Sequence, residues 1–264
     1  MKAKKQFSQH FLADDSVAEQ IAETIDLEGK TIIEIGAGTG KLTAFLAARA
    51  ERVIAVELDE DLIPELEKFL SDYDNVEIVH ADALQTELGG YDAVFGNIPY
   101  NISSPILVNL LKSRFNKAVL LMQKELAERM CVPPGDKEYS RLSVLAQNNA
   151  RIKIIAEVPP EAFKPVPKVR SAIVFFEEKK PSEKRKLDGA FVAALFQHKN
   201  QTVSNALKHS AASLGSDKHE IKELAEKLPL CHKRVRELTI EELEETSKEW
   251  GKLYAKKTRA RPRR

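Results

Sequence analysis

The 264-residue sequence contains only two cysteines and lacks any apolar stretch long enough to span a membrane. Cys131 and Cys231 share no motif spacing, which predicts free thiols in a reducing compartment. The absence of a cysteine–histidine cluster argues against a zinc site, and the N-terminus lacks the apolar region of a signal peptide. We therefore expect a cytoplasmic protein with no metal and no membrane partner.

Net charge is small as well, because 41 lysines and arginines offset 40 aspartates and glutamates. The overall charge therefore favours no class of partner. Basic residues are concentrated at the two ends of the chain, namely Lys2, Lys4, Lys5, Lys256, Lys257, Arg259, Arg261, Arg263 and Arg264. A basic end is a candidate for contact with nucleic-acid phosphates, although a solvated tail has the same composition.

Apolar runs typical of buried strands alternate with amphipathic segments typical of helices over the first two thirds of the chain. Strands are predicted at residues 31–35, 52–57, 76–80, 93–95, 118–122, 152–158 and 171–176. Helices are predicted at residues 14–26, 41–50, 60–70, 104–112, 123–131 and 140–149. This alternation predicts an α/β fold with a parallel, doubly wound, Rossmann-like sheet. The last two strands have no helix between them, so they are candidates for antiparallel pairing at one edge.

The composition changes at the charged segment 177–181, where we place a domain boundary. Residues 1–180 then form the ligand-binding domain. Residues 188–250 are helix-like throughout, which predicts a small, all-helical domain over residues 181–264 that ends in the basic tail.

A glycine-rich turn follows the strand 31–35, and it contains Gly36, Gly38 and Gly40. Glycines keep such a turn tight and let a ligand approach the backbone. Glu57 ends the next strand, where an acid can bind the two hydroxyls of a ribose. These features alone leave open a dinucleotide and S-adenosylmethionine as the cofactor.

Three further features favour S-adenosylmethionine. The turn lacks the last glycine of the dinucleotide pattern. Glu34 precedes the turn and suits an ammonium group, directly or through water. Asp82 ends the third strand, with Ala83 beside it, and suits the amino group of an adenine. A cationic cofactor without phosphate tolerates these acids, whereas a pyrophosphate does not.

The fourth strand ends in the tetrapeptide Asn97-Ile98-Pro99-Tyr100. Pro99 restricts the backbone around Ile98, and Tyr100 offers a flat face for a base. The Asn97 oxygen and a backbone carbonyl of Ile98 or Pro99 are placed to accept the two amino hydrogens of an adenine. The lone pair of that nitrogen would then be free to attack a methyl group. A turn with a packed tyrosine explains the tetrapeptide about as well when it is taken alone.

The sequence resembles the ribosomal RNA adenine dimethyltransferases of the small-subunit type. The matching stretches follow the order of the family over nearly all of residues 6–178, and the details around 131–147 are closer to archaeal and eukaryotic members than to bacterial ones. The stretches are residues 9–12, 34–40, 56–57, 81–84, 96–103, 123–125, 127–129, 139–144 and 163–169.

The resemblance implies dimethylation of adenosines, two adjacent ones by analogy, in small-subunit ribosomal RNA within a pre-ribosomal particle. It implies that Asn97–Tyr100 hold the target base, with Phe163 stacking near it. A monomer is the expected state. The implied cofactor contacts are His10, Leu12, Gly36, Glu57, Asp82 and Asn97.

One stretch departs from the family. Its members usually carry a basic run in the first helix of the C-terminal domain, and here the corresponding residues 198–202 read His-Lys-Asn-Gln-Thr. This departure puts the strength of RNA contact there in doubt and leaves the chemistry untouched.

Three alternatives are open at the level of the sequence. The antibiotic-resistance methylases of large-subunit ribosomal RNA share the cofactor motif and the Asn97–Tyr100 motif, and residues 123–129 and 139–144 favour the small-subunit type over them. A ribosome-assembly factor that docks, with methylation secondary, is a second alternative. A dehydrogenase with a nicotinamide cofactor is the third.

Overall fold

A computed structural model describes the backbone of residues 10–260 and the side chains of residues 10–255. Gln9 and the basic residues Lys2, Lys4 and Lys5 lie outside the described residues, as do the side chains of the basic C-terminal tail. The chain divides into two compact units. The first comprises the described part of Met1–Glu128 together with Asn149–Glu178, and the second comprises Arg129–Asn148 and the described part of Lys179–Arg264.

The strands of the described residues all belong to the first unit. They are β1 Phe11–Leu12, β2 Thr31–Ile35, β3 Arg52–Glu57, β4 Val76–His80, β5 Ala93–Asn97, β6 Lys117–Gln123, β7 Ala150–Val158, β8 Phe163–Lys164 and β9 Ser171–Glu178.

The α-helices connect these strands and continue through the C-terminal part of the chain. They are α1 Asp15–Glu23, α2 Lys41–Ala47, α3 Ile63–Phe69, α4 Ser103–Lys112, α5 Lys124–Cys131, α6 Arg141–Asn149, α7 Gly189–Phe196, α8 Val203–His209, α9 Lys218–Ala225 and α10 Ile240–Ala260. Within residues 10–260, no helix has the length and apolar character needed to cross a membrane.

Seven strands form one sheet in the order β4-β3-β2-β5-β6-β9-β7. The pairs from β4 to β6 are parallel, and β9 pairs antiparallel with both β6 and β7. The predicted doubly wound sheet, its antiparallel edge and the helical C-terminal region are confirmed. The strand order reverses between β2 and β5, and open α/β sheets bind ligands beside the carboxyl ends of strands at such a point.

The central strands are apolar runs because both faces of the sheet are covered by helices. All residues of Val94–Gly96 are buried, as are those of Ala118–Met122 in the neighbouring β6. A parallel ladder fixes the relative height of each strand end, and it pairs Ile35 with both Val56 and Gly96. The turns after β2, β3 and β5 therefore leave the sheet side by side.

The second unit is built around its own apolar core, with Phe191 and Trp250 stacked at a ring-centroid distance of 5.7 Å. Its extent differs from the predicted boundary in one segment, 129–148, which the sequence assigned to the first domain. Tyr139 and Val144 of that segment belong to the core of the second unit. The composition changes at residue 177, but the segment 129–148 belongs to the second unit because its apolar side chains pack in the core of that unit.

Two local features differ from the predictions. The helix predicted at 104–112 begins at Ser103, with Ile102 as N-cap, and the Ser103 hydroxyl donates to the Pro99 carbonyl at 2.9 Å. The short antiparallel pair of β1 and β8 was not predicted, and it joins Leu12 to Phe163. Two-residue strands are too short to leave a periodic signal in a sequence.

Gly96 is expected to tolerate no side chain. A Cβ at this position would lie 2.7 Å from the Ile35 carbonyl oxygen of the adjacent strand, so strands β2 and β5 would have to separate. Gly96→Ala should therefore lower the free energy of unfolding by about 1–3 kcal/mol, the usual cost of overpacking. Urea denaturation measures the change. Gly251→Ala is the control, because its Cβ meets no atom within 4 Å in a helix. Equal stability of Gly96→Ala and wild type would contradict the predicted clash.

Candidate functional site

The turn after β2 is held in a conformation that suits glycine. Gly36, Gly38 and Gly40 all have positive φ angles, of 72°, 57° and 81°. A Cβ on Gly40 would lie 2.8 Å from Leu66, so the turn packs directly on α3. The result is a tight turn at the carboxyl end of the central strand, as the sequence predicts.

Glu57 ties this turn to the end of β3. Its carboxylate accepts hydrogen bonds from the backbone N–H groups of Gly38 at 2.8 Å, Leu58 at 2.9 Å and Asp59 at 2.8 Å. The side chain is 7% exposed. A buried charge requires such partners, and three N–H donors satisfy it while leaving acceptor capacity toward a ligand.

Asp82 begins a turn after β4. One carboxylate oxygen accepts from the Leu84 N–H at 2.9 Å, and the backbone carbonyl accepts from the N–H groups of Gln85 and Thr86. Two exposed leucines flank this region, Leu58 at 43% and Leu84 at 38%. Exposed apolar side chains beside a polar strand end are suited to the faces of a planar ring.

Asn97 ends β5 with a defined side-chain orientation. Its Nδ2 donates to the His10 carbonyl at 2.9 Å. A carbonyl only accepts, so the amide nitrogen faces His10 and the Oδ1 is left as an acceptor.

Tyr100 is held at both ends of its side chain. Its hydroxyl bonds the Ser171 hydroxyl at 2.7 Å, and its ring contacts the His10 ring at a centroid distance of 5.3 Å. Burial raises the pKa of Tyr100 above its ordinary value of 10.0, and the bond to Ser171 opposes the shift only in part. The phenol is therefore neutral at physiological pH.

These strand ends surround one cavity within the first unit. Most of the predicted site residues line it: His10, Gly36, Gly38, Glu57, Asp82, Ala83, Asn97, Ile98, Pro99 and Tyr100. Among the described lining residues there are three acids, Glu57, Asp59 and Asp82, and no lysine or arginine. Such a cavity suits a cationic ligand and disfavours a pyrophosphate.

Three predicted site residues do not line the cavity. Leu12 and Phe163 are buried, Phe163 completely, and they pair with each other across β1 and β8 in the apolar core. The ring of Phe163 is therefore not presented to a base in this structure, and the predicted stacking lacks support. Glu34 is 1% exposed and lies beneath the turn, so direct contact with an ammonium group also lacks support.

The sequence did not single out several lining residues. They are Phe11, Leu58, Asp59, Leu84, Asn101, Ile102 and Ile106. The apolar residues that follow the strand-ending acids, Leu58 after Glu57 and Leu84 after Asp82, are a signal that could have been read. Ile106 gave no such signal, because its place in the apolar pattern of α4 is that of any core residue.

A family model described as "Ribosomal RNA adenine dimethylase" matches residues 1–245. Two archaeal relatives carry the name "Probable ribosomal RNA small subunit methyltransferase A". The one from Thermococcus gammatolerans is 41% identical over 244 residues, which cover 92% of this chain and 87% of the relative. The one from Pyrococcus furiosus is 42% identical over 246 residues, which cover 92% and 90%.

Two solved structures share the fold and more than a quarter of the sequence. A dimethyladenosine transferase from Plasmodium falciparum matches with a TM-score of 0.77 and 28% identity, over 93% of this chain and 98% of that chain. The 23S rRNA methyltransferase ErmE matches with a TM-score of 0.64 and 27% identity, over 90% and 99%. The Rossmann-like fold and the helical C-terminal region occur in matching form in these proteins.

The stability of Glu34→Gln relative to wild type is expected to depend on pH. Burial raises the pKa of the Glu34 carboxyl from 4.5 to about 8, the Thr43 hydroxyl opposes the shift, and the charge of Glu57 adds to it. Between these values the unfolded chain releases a proton that the folded protein keeps. Wild type therefore loses up to about 1.4 kcal/mol of stability per pH unit as the pH rises through this window.

Glu34→Gln escapes this loss because its amide does not titrate. Urea denaturation across pH 5 to 8 should show the stability of the variant rising steadily relative to wild type. Glu51→Gln, at an exposed carboxyl, is the control and should show no such trend. A difference between Glu34→Gln and wild type that is constant over this range would contradict a buried, protonated Glu34.

Proposed function

Because this chain belongs to the ribosomal RNA adenine dimethylase family, we propose that it transfers methyl groups from S-adenosylmethionine to the exocyclic amino groups of adenosines in small-subunit ribosomal RNA. The resemblance noted in the sequence is thereby confirmed at the level of the family. The archaeal relatives are named for the small subunit, which favours this substrate over large-subunit RNA.

The observation that carries the proposal is the orientation of Asn97. With Nδ2 bonded to the His10 carbonyl, the Oδ1 is an acceptor fixed at the edge of the cavity. An adenine amino group brings two hydrogens, so it needs two acceptors. The fixed amide supplies one of them without rearrangement, which is the kind of preorganisation that lowers a barrier.

The second acceptor is argued to be the Ile98 carbonyl. The alternative, the Pro99 carbonyl, already accepts from the Ile102 N–H at 3.1 Å and from the Ser103 hydroxyl at 2.9 Å. These bonds belong to the turn that starts α4. Of these two carbonyls, the Ile98 carbonyl is therefore proposed as the acceptor, and the Ile98 N–H donates to the Leu121 carbonyl at 2.9 Å.

The residues act on the amino group by orienting it. An adenine amino nitrogen is a poor nucleophile because its lone pair is delocalised into the ring. Two hydrogen bonds accepted by Asn97 and Ile98 favour a more tetrahedral nitrogen, whose lone pair points out of the ring plane. Bound S-adenosylmethionine supplies an electrophilic methyl group on a sulfonium. Transfer would break the methyl–sulfur bond as the methyl–nitrogen bond forms, so the positive charge would pass from sulfur to nitrogen. The nitrogen would then lose a proton to water, and no protein base would be required.

The residues that would hold S-adenosylmethionine are those at the ends of β2, β3 and β4. In this proposal Glu57 binds the ribose diol, Asp82 with Ala83 binds the adenine amino group, and Leu58 and Leu84 contact the ring; all five residues line the cavity. The acidic lining without a lysine or arginine fits a cofactor that carries positive charge and no phosphate. The same observation counts against the dehydrogenase alternative.

RNA contact by residues 198–202 is proposed to be weak. Lys199, the one lysine of this stretch, donates through Nζ to the carbonyls of Lys137 at 2.7 Å and Tyr139 at 3.2 Å. It is therefore engaged in holding the segment 133–139. The remaining parts of the proposal rest on the resemblance: two adjacent adenosines, a pre-ribosomal particle in the cytoplasm, and a monomeric enzyme. A factor that docks on the particle, with methylation secondary, is the alternative.

The test is methyl transfer from labelled S-adenosylmethionine to unmethylated small ribosomal subunits, with mass spectrometry of the RNA nucleosides. Dimethyladenosine in small-subunit RNA is the expected product, and Asn97→Ala should abolish it. Methylation of large-subunit RNA alone would move the chain to the activity named for ErmE. Cofactor binding without transfer to any particle would favour the docking alternative.

Tyr100→Ala is expected to lose about 10- to 100-fold in kcat/KM for the RNA, because base–aromatic stacking is worth about 1–3 kcal/mol. The affinity for S-adenosylmethionine should remain within about twofold of wild type. Tyr100→Phe is the matched control, since it keeps the ring and loses only the bond to Ser171. Near-normal turnover of Tyr100→Ala would reject the stacking role.

A further inference from the structure

Ser171 is the first residue of β9, and it is completely buried. Its hydroxyl is bonded to the Tyr100 hydroxyl at 2.7 Å. The residues that follow it, 172–176, form an apolar run. A buried hydroxyl costs free energy unless it is hydrogen-bonded, so alanine would fill this position at a lower cost if packing were the only requirement. The serine therefore points to the phenol to which it is bonded.

The direction of β9 brings Ser171 to the edge of the sheet at which the cavity lies. The strand runs antiparallel to β6, and the ladder pairs Ser171 with Gln123, the last residue of β6. The parallel strand β5 ends at the same edge, where Asn97 pairs with Leu121. Because β6 lies between β5 and β9, Tyr100 reaches across the end of β6 to make this bond. An antiparallel strand thus brings its first residue to the edge at which parallel strands end.

The bond to Ser171 fixes the far end of the Tyr100 side chain. The backbone of the turn after β5 holds only the Cα end, so a bond at the hydroxyl restricts the two side-chain torsions together. A restraint at the tip leaves the faces of the ring uncovered, and base stacking depends on those faces. A side chain that is ordered before the base arrives loses less conformational freedom on binding, which favours affinity.

We propose that Ser171 is a positioning residue for the target adenine, acting through its hydrogen bond to Tyr100. Ser171 is completely buried and Tyr100 lines the cavity, so the effect on the base passes through the tyrosine. This inference rests on the proposed function, since it concerns the base that the proposed reaction modifies.

Four variants isolate the hydrogen bond. Ser171→Ala removes it from the side of the serine, Tyr100→Phe removes it from the side of the tyrosine, and the double variant lacks both hydroxyls. Ser171→Thr is the conservative variant, because it keeps a hydroxyl on Cβ. Ser210→Ala is the matched control, because Ser210 is 3% exposed and its hydroxyl donates to the Ala194 carbonyl at 2.7 Å in the second unit.

The measurements are kcat and KM for unmethylated small ribosomal subunits, the Kd of S-adenosylmethionine, and the melting temperature. Ser171→Ala and Tyr100→Phe should each lose about 3- to 10-fold in kcat/KM, the effect of one hydrogen bond, mainly through a higher KM for the subunits. The double variant should lose no more than either single variant, because all three lack the same bond. Ser171→Thr should recover most of the loss. The Kd of the cofactor should stay that of wild type throughout, and Ser210→Ala should lower the melting temperature without changing kcat/KM.

Three results would overturn the role of Ser171 alone, in an assay in which wild type is active. The first is a kcat/KM for Ser171→Ala equal to that of wild type. The second is a double variant whose loss is the product of the two single losses, since the two hydroxyls would then act independently. The third is an equal loss of kcat/KM in Ser210→Ala, which would assign the effect to a general loss of structure. Absence of transfer by wild type itself to any ribosomal particle would overturn both this role and the proposed function.

Discussion

The carboxylate of Glu57 is the interaction on which the site depends. It accepts three backbone N–H groups, one from the turn after β2 and two from the residues that follow β3. Three residues of the turn after β2, Gly36, Gly38 and Gly40, are glycines with positive φ, and they have no side chains to hold the turn in place. A buried carboxylate bonded to it from the neighbouring strand supplies that restraint, because releasing the bond to Gly38 would leave the Glu57 Oε2 without its backbone donor.

The residues at the strand ends could be predicted from the sequence because their pattern is local. An apolar run that stops at an acid or an amide marks the end of a strand, and parallel strands deliver their ends to one edge. Glu57, Asp82 and Asn97 follow this pattern, and all three line the cavity. Leu12 and Phe163 do not, because they meet across about 150 residues in a two-residue ladder, and a contact of that kind leaves no trace in either segment alone.

The domain boundary could also be predicted only in part, because it depends on contacts between segments that are distant in the sequence. The sequence identifies the change of composition at residue 177, and the chain does pass into the second unit at Lys179. The segment 129–148 precedes this change of composition and packs in the second unit, with Tyr139 completely buried there. Burial raises the pKa of Tyr139 to about 12. Composition alone therefore does not assign a segment to a domain, because the assignment depends on the apolar core in which the segment packs.

The chemistry proposed for the site depends on the orientation of the amino group and requires no protein base. The protonation states of the nearby side chains are consistent with this. The acid at the end of β2, Glu34, is held neutral by burial at physiological pH, and Tyr100 is a neutral phenol. The group proposed to accept from the amino nitrogen, Asn97, is an amide whose direction is set by a backbone carbonyl. A backbone acceptor is present whatever side chain stands at position 10, so the orientation of Asn97 does not depend on the identity of that side chain.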